Sequence, residues 1–148
     1  MTADSAVRGI RSLDQSGSIA LISEEPDPPY NRPPLSKGLW KGTSIDRIWR
    51  RTPPHNLDLY LGRKVIAVDL ALKRAIDSEG EEYGFEKCLF ATGASPNKLP
   101  FDNGDIHYLR TLRDYQKLKA LATKKKHFLV IGAGFIGSEI AAALALNH

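Results

Sequence analysis

The sequence predicts an α/β fold built from layers of parallel strands and helices. Two observations carry this. Short apolar runs suited to buried strands alternate with stretches of helical period along the chain. Near the C-terminal end, "HFLVIGAGFIGSEIAAALAL" sets an apolar run, a glycine-rich turn and an alanine-rich helix in succession.

The elements follow in chain order. Residues 2–13 are expected as a helix, with Thr2 as N-cap and Ala3, Ala6, Val7 and Ile10 on one face. "SIALIS" reads as a short strand between Gly17 and the acids Glu24 and Glu25. "PDPPYNRPPLSKGLWKG" holds five prolines and two glycines, which predicts a loop. A short helix is expected over 45–51. "LDLYLG", "KVIAVDLAL" and "RAIDSEG" read as short strands, with a turn near Ser78, Glu79 and Gly80. "GFEKCLFATGASP" reads as a buried strand ending in a glycine turn. "TLRDYQKLKALAT" reads as a helix with Leu112, Tyr115, Leu118 and Leu121 or Ala122 on one side. "HFLVIGAG" predicts another buried strand, and residues 136–146 a helix.

Composition bounds the function. A chain of 148 residues, 42% hydrophobic and 26% charged, has the make-up of a globular domain with a real core. The net charge of +4 is mild, and Lys124, Lys125 and Lys126 form the one basic triplet. Basic residues are not interleaved with stacking aromatics, so no nucleic-acid partner is expected. Cys88 is the single cysteine. It can form no internal disulfide and no metal cluster, and it reads as an inert core thiol. No apolar run suffices for a membrane span and no basic-then-apolar leader is visible, so a cytoplasmic setting and no membrane partner are the expectation. His55, His107, His127 and His148 show no catalytic spacing, and Trp40 and Trp49 read as packing residues. Oligomeric state is not legible.

Gly132, Ala133, Gly134, Phe135, Ile136 and Gly137 match G-x-G-x-x-G, placed after a predicted strand and opening a predicted helix. Gly132 allows the tight turn, Gly134 lets backbone approach a pyrophosphate, and Gly137 allows close helix–strand packing. The helix start adds unpaired N–H groups and a positive dipole end. A dinucleotide site is therefore expected. The acid that selects NAD over NADP would lie about 20 residues further on, and the chain ends 11 residues after Gly137. At the start, the helix over 2–13 and "SIALISEE" have the form of the second and third parts of another such unit, so the fold is expected to be truncated at both ends.

"PYNRPPLSKGLW", "FEKCLFATGASPNKLP", "YLRTLRDYQKL" and "LVIGAGFIGSEIAAAL" occur in this order. With them the chain resembles the FAD-dependent pyridine nucleotide-disulfide oxidoreductases, in the branch of ferredoxin reductases and apoptosis-inducing factor. The resemblance implies an FAD/NAD(P)-binding Rossmann-like fold, with a partial FAD domain over 1–113 and the start of an NAD(P) domain over 114–148. It implies cofactors FAD and NAD(P)H: hydride passes from NAD(P)H to FAD, and electrons then pass to an external acceptor protein such as a ferredoxin. It also assigns roles. Glu24 and Glu25 resemble the acids that accept hydrogen bonds from the adenosine ribose. Arg32 and Lys37 resemble loop cations at the flavin or its pyrophosphate. Val65 resembles a position whose backbone meets the adenine, and its side chain reads as a core valine. Ala91, Thr92 and Gly93 resemble a second FAD fingerprint, and Arg110 an arginine near the flavin. Glu139 resembles a glutamate that pairs with Lys37 beside the flavin, so the two are expected within about 4 Å, ion-pair reach. The reactive cysteines of disulfide reductases and NADH oxidases have no counterpart at "PYNRPPLSKG". Two rivals stand beside this reading: a catalytically inactive truncated fragment or half of a split enzyme, and a polyproline interaction module with "PDPPYNRPP" extended and exposed. Such a clipped chain is expected to bind FAD weakly or not at all.

Overall fold

The structure is a computed structural model that describes residues 1–52, 56–125 and 127–147. The chain divides into two compact units, Met1–Tyr30 with Trp49–Thr92 and Asn31–Ile48 with Gly93–His148. His55, Lys126 and His148 lie outside the described residues.

The first unit opens with helix α1, Thr2–Arg11. Its predicted boundaries and face need correction. The cap position is Met1, without a side-chain cap, and the helix stops at Arg11 rather than Leu13. The stop has a cause: the buried Arg11 guanidinium donates to the carbonyls of Asp14, Gly17 and Asn56. Those bonds hold the chain in a turn where another helical turn would run. The buried face is Asp4, Val7 and Arg11, whereas Ile10 is 44% exposed. Hydrophobicity alone misplaces this face because two charged residues fill it, each satisfied by partners.

Strand β1, Ile19–Ser23, pairs in parallel with β2, Leu57–Leu61, in the register Ile19 with Leu57 through Ser23 with Leu61. Strands β3, Val65–Asp69, β4, Arg74–Asp77, and β5, Glu82–Gly84, form an antiparallel sheet in chain order. Gly80 at the β4–β5 turn has φ +87°, a conformation that costs glycine little. Asp77, fully buried, anchors that turn: Tyr83 Oη donates to it at 2.8 Å and the amides of Glu79 and Glu81 at 2.9 and 3.0 Å. Tyr30 packs edge-on against Trp49 and bridges it through the backbone. Tyr30 is buried, so the polyproline segment is not an extended exposed ligand at this end.

In the second unit an apolar cluster joins Trp40, Ala122, Ile140, Ala143 and Leu144, with Leu109, Tyr115, Leu118 and Phe128 packed against it. Single-turn 3-10 helices cover Pro33–Leu35, Gly38–Lys41 and Ile45–Arg47. The last replaces the helix expected over 45–51. Helix α2, Leu112–Ala122, begins with a capping box in which Thr111 accepts from the Asp114 amide and the Asp114 carboxylate accepts from the Thr111 amide. Its buried face is the predicted one, with Leu112 and Ala122 buried and Tyr115 and Leu118 against the cluster. Helix α3 is Phe135–Leu146.

Two predicted strands are not formed. Residues 85–96 and 127–133 carry no ladder among the described residues. Cys88 is exposed and not a core thiol; Leu89 and Phe90 are exposed, as are Leu129 and Ile131. Composition belongs to one segment, but a strand exists only through backbone hydrogen bonds exchanged with a second. Apolar runs of this kind suit strands covered on both faces, and neither run has such a neighbour among the described residues.

Candidate functional site

Pro33 and Pro34 occupy the opening positions of a 3-10 turn, where the missing amide hydrogens cost nothing. The turn delivers Ser36 and Lys37 as neighbours, and Trp40 Nε1 pins it by donating to the Leu35 carbonyl at 2.9 Å. Trp40 also packs in the cluster with Ile140. Because Ile140 adjoins Glu139 on α3, this packing brings the first turns of the helix to the proline turn. Lys37 Nζ lies 3.3 Å from Glu139 Oε1. Ser36 Oγ donates to the other oxygen, Glu139 Oε2, at 2.6 Å. Lys37 and Glu139 thus lie within the distance the sequence predicts.

Two donors on two oxygens favour the ionised carboxylate. The Ser36 hydrogen bond, and then the bond and charge of Lys37, hold the Glu139 carboxyl below its ordinary value against the opposing pull of desolvation. The Lys37 side chain is 57% exposed, so it is not enclosed by the protein. Ser36 is a residue that sequence reasoning misses. A lone serine beside a lysine has no motif, and its acceptor is 103 residues away.

The glycine turn has the required shape. Gly132 has φ +108°, a left-handed conformation. A Cβ on Gly137 would fall 2.0 Å from the Gly132 carbonyl oxygen, whereas one on Gly134 would meet nothing within 4 Å. Gly137 is therefore required by the protein's own packing. Gly134 borders open space, which fits a position whose backbone receives a ligand. The first α3 hydrogen bond runs from the Ser138 amide to the Gly134 carbonyl at 3.0 Å. The amides of Phe135, Ile136 and Gly137 precede it and are available to an anion, and Phe135 and Ile136 are both exposed.

Arg32 Nη1 donates to the Arg110 carbonyl at 2.7 Å. The Arg110 guanidinium lies 3.4 Å from where a Gly93 Cβ would be, and Gly93 has φ +70°. These three predicted residues are thus gathered in the second unit, with the Arg110 guanidinium beside the Gly93 turn and the Arg32 guanidinium on the Arg110 backbone. A larger residue at Gly93 would be both strained and crowded.

In the first unit, Glu24 is exposed and forms a surface ion pair with Lys64 at 3.4 Å. Glu25 is half-buried and accepts from the Tyr30 hydroxyl. Glu24 is therefore the more available of the two acids. Val65 begins β3 and is 37% exposed, so its reading as a core valine is wrong. Among the described residues its strand pairs with β4 alone, and its side chain is not enclosed. Ala91 is half-buried and Thr92 exposed. A surface cleft of about 450 Å³, lined by residues including Lys98, His107, Tyr108 and Lys117, involves none of the predicted site residues. No group of His, Cys, Asp and Glu suited to a metal ion occurs among the described residues, and no described helix is long and apolar enough to cross a membrane.

The family model described as pyridine nucleotide-disulphide oxidoreductase matches residues 3–147. The chain is 36% identical to rhodocoxin reductase of Rhodococcus erythropolis, over 93% of this chain and 34% of that protein. It is 31% identical to rubredoxin-NAD(+) reductase of Pseudomonas putida, over 90% of this chain and 37% of that protein. In the solved covalent complex of putidaredoxin reductase with putidaredoxin, a chain matches with a TM-score of 0.89 at 29% identity, covering 98% of this chain and 37% of that one. The chain thus spans about a third of the length of these relatives.

Proposed function

Since this chain belongs to the pyridine nucleotide-disulphide oxidoreductase family, we propose that it provides part of the machinery of an FAD-dependent NAD(P)H oxidoreductase that passes electrons to a ferredoxin-like acceptor protein in the cytoplasm. The observation that carries this reading is the contact of Lys37 and Glu139, a charged pair assembled from distant loop and helix at the foot of a dinucleotide-type turn.

The residues fit the groups they would hold. Arg32 and Arg110 supply positive charge for the flavin or its pyrophosphate, and Gly93 keeps that backbone approachable. Glu24 and Glu25 offer carboxylate acceptors to the adenosine ribose. Backbone groups at Val65 would meet the adenine, and small residues at Ala91 and Thr92 would let the chain run close to the cofactor. The turn from Gly132 through Gly134, Phe135 and Ile136 to Gly137 would donate amides to the pyrophosphate of NAD(P)H. Glu139 holds the Lys37 ammonium by an ion pair at 3.3 Å, and would orient it so that an Nζ–H could be offered to flavin N5. FAD, when bound, supplies the hydride acceptance and single-electron release that no side chain provides. Residues 1–113 belong with FAD in this assignment, and residues 114–148 with NAD(P)H.

A chimera tests the reading. Residues 3–147 would replace the matching segment of the Pseudomonas putida rubredoxin-NAD(+) reductase. The expected product retains FAD through purification and its visible band bleaches with NADH. A chimera that melts cooperatively but carries no flavin would contradict the proposal. Bleaching in the chimera, together with weak or absent FAD binding by the chain alone, would favour the alternative that this chain is one part of a split enzyme.

A further inference from the structure

We propose that Ser36 is a positioning residue that fixes the Glu139 carboxylate and, through it, the direction of the Lys37 ammonium. The inference deepens the reading given above and rests on it. Ser36 is buried, follows directly on the Pro33–Leu35 turn, and sits 2.6 Å from Glu139 Oε2. Its hydroxyl has one proton to give. The competing acceptor, the Pro33 carbonyl, is at 3.4 Å, so the short bond to the carboxylate takes it.

The consequence for Lys37 is geometric. A carboxylate free to rotate can offer either oxygen, or both, to a neighbouring ammonium. With Oε2 engaged by Ser36, Oε1 alone meets Lys37 Nζ, at 3.3 Å. One of three ammonium donor directions is then used and two remain for another acceptor. Proline-fixed backbone on one side and helix α3 on the other hold the carboxylate between two donors. Lys37 supplies the charge acting on Glu139 among the described residues, and the Ser36 hydrogen bond is the largest single cause holding its carboxyl down. The Ser138 hydroxyl is turned elsewhere, donating to the Ala133 carbonyl.

The test is a carboxyl 13C NMR titration of Glu139 in the full chain, with the resonance assigned from Glu139→Gln. It needs no flavin. Ser36→Ala is expected to raise the Glu139 pKa toward the ordinary value, and Ser36→Thr, which keeps the hydroxyl, is expected to restore it. A Ser36→Ala titration indistinguishable from the parent would overturn the proposal. So would a shift that Ser36→Thr fails to reverse in a protein with the parent's amide spectrum. Failure of this titration removes Ser36 alone, whereas a flavin-free chimera removes the functional reading.

Discussion

Asp4 is fully buried in the first turn of α1, and three side chains reach it: Arg50 Nε at 2.7 Å, Thr52 Oγ1 at 2.8 Å and Arg8 Nε at 3.2 Å. Burial pulls its carboxyl upward, but the bonds from Thr52, Arg50 and Arg8 outweigh it and the net displacement is downward. A carboxyl lowered on folding stabilises the fold above its unfolded value, and that contribution is lost as pH falls through the folded one. Asp4→Asn is expected to cost about 2 kcal/mol at neutral pH, the scale of hydrogen bonds to a charged group. It should also flatten the loss of stability below about pH 4. Urea melts across that range check both. The same residue shows why α1 is only half legible in sequence: a hydrophobic stripe cannot announce a buried aspartate two of whose three named partners lie over 40 residues away. Lys37 and Glu139 are legible because each sits in its own recognisable motif. Ser36 is not, because its significance exists only once α3 is in place.

At the scale of elements, the glycine turn separates two kinds of requirement. Gly137→Ala places a methyl against the Gly132 carbonyl, so the turn or the start of α3 must shift. A loss of roughly 1–3 kcal/mol is expected, as for overpacking, read by thermal melting. Gly134→Ala meets open space and should leave the melt nearly unchanged, while weakening NADH binding to the chimera as measured by fluorescence titration. Equal stability losses from the two substitutions would contradict this division. On α2, Thr111→Ala removes half of the capping box and is expected to cost about 1 kcal/mol, again by urea melting. The sequence yields these helices and turns well because their signals are local. It yields "EKCLFATG" and "HFLVI" as strands wrongly, because a ladder depends on a neighbour that composition does not report.

For the molecule as a whole, the exposed apolar side chains matter most. Leu89 and Phe90 in one unit, and Leu129, Ile131 and Phe135 in the other, are each 60% or more exposed. Soluble monomers seldom leave such residues grouped without a partner, so the chain is expected to self-associate as its concentration rises. Light scattering coupled to size exclusion checks this, and Phe135→Ser with Leu129→Ser should reduce it. The central claim, that Lys37 and Glu139 serve a flavin, is tested most directly by anaerobic stopped-flow reduction of the chimera with NADH. With FAD retained and the melting temperature unchanged, Lys37→Ala is expected to slow flavin reduction by about tenfold or more, the scale of a misplaced group at a reacting centre. Reduction at the parental rate in that variant would contradict the account.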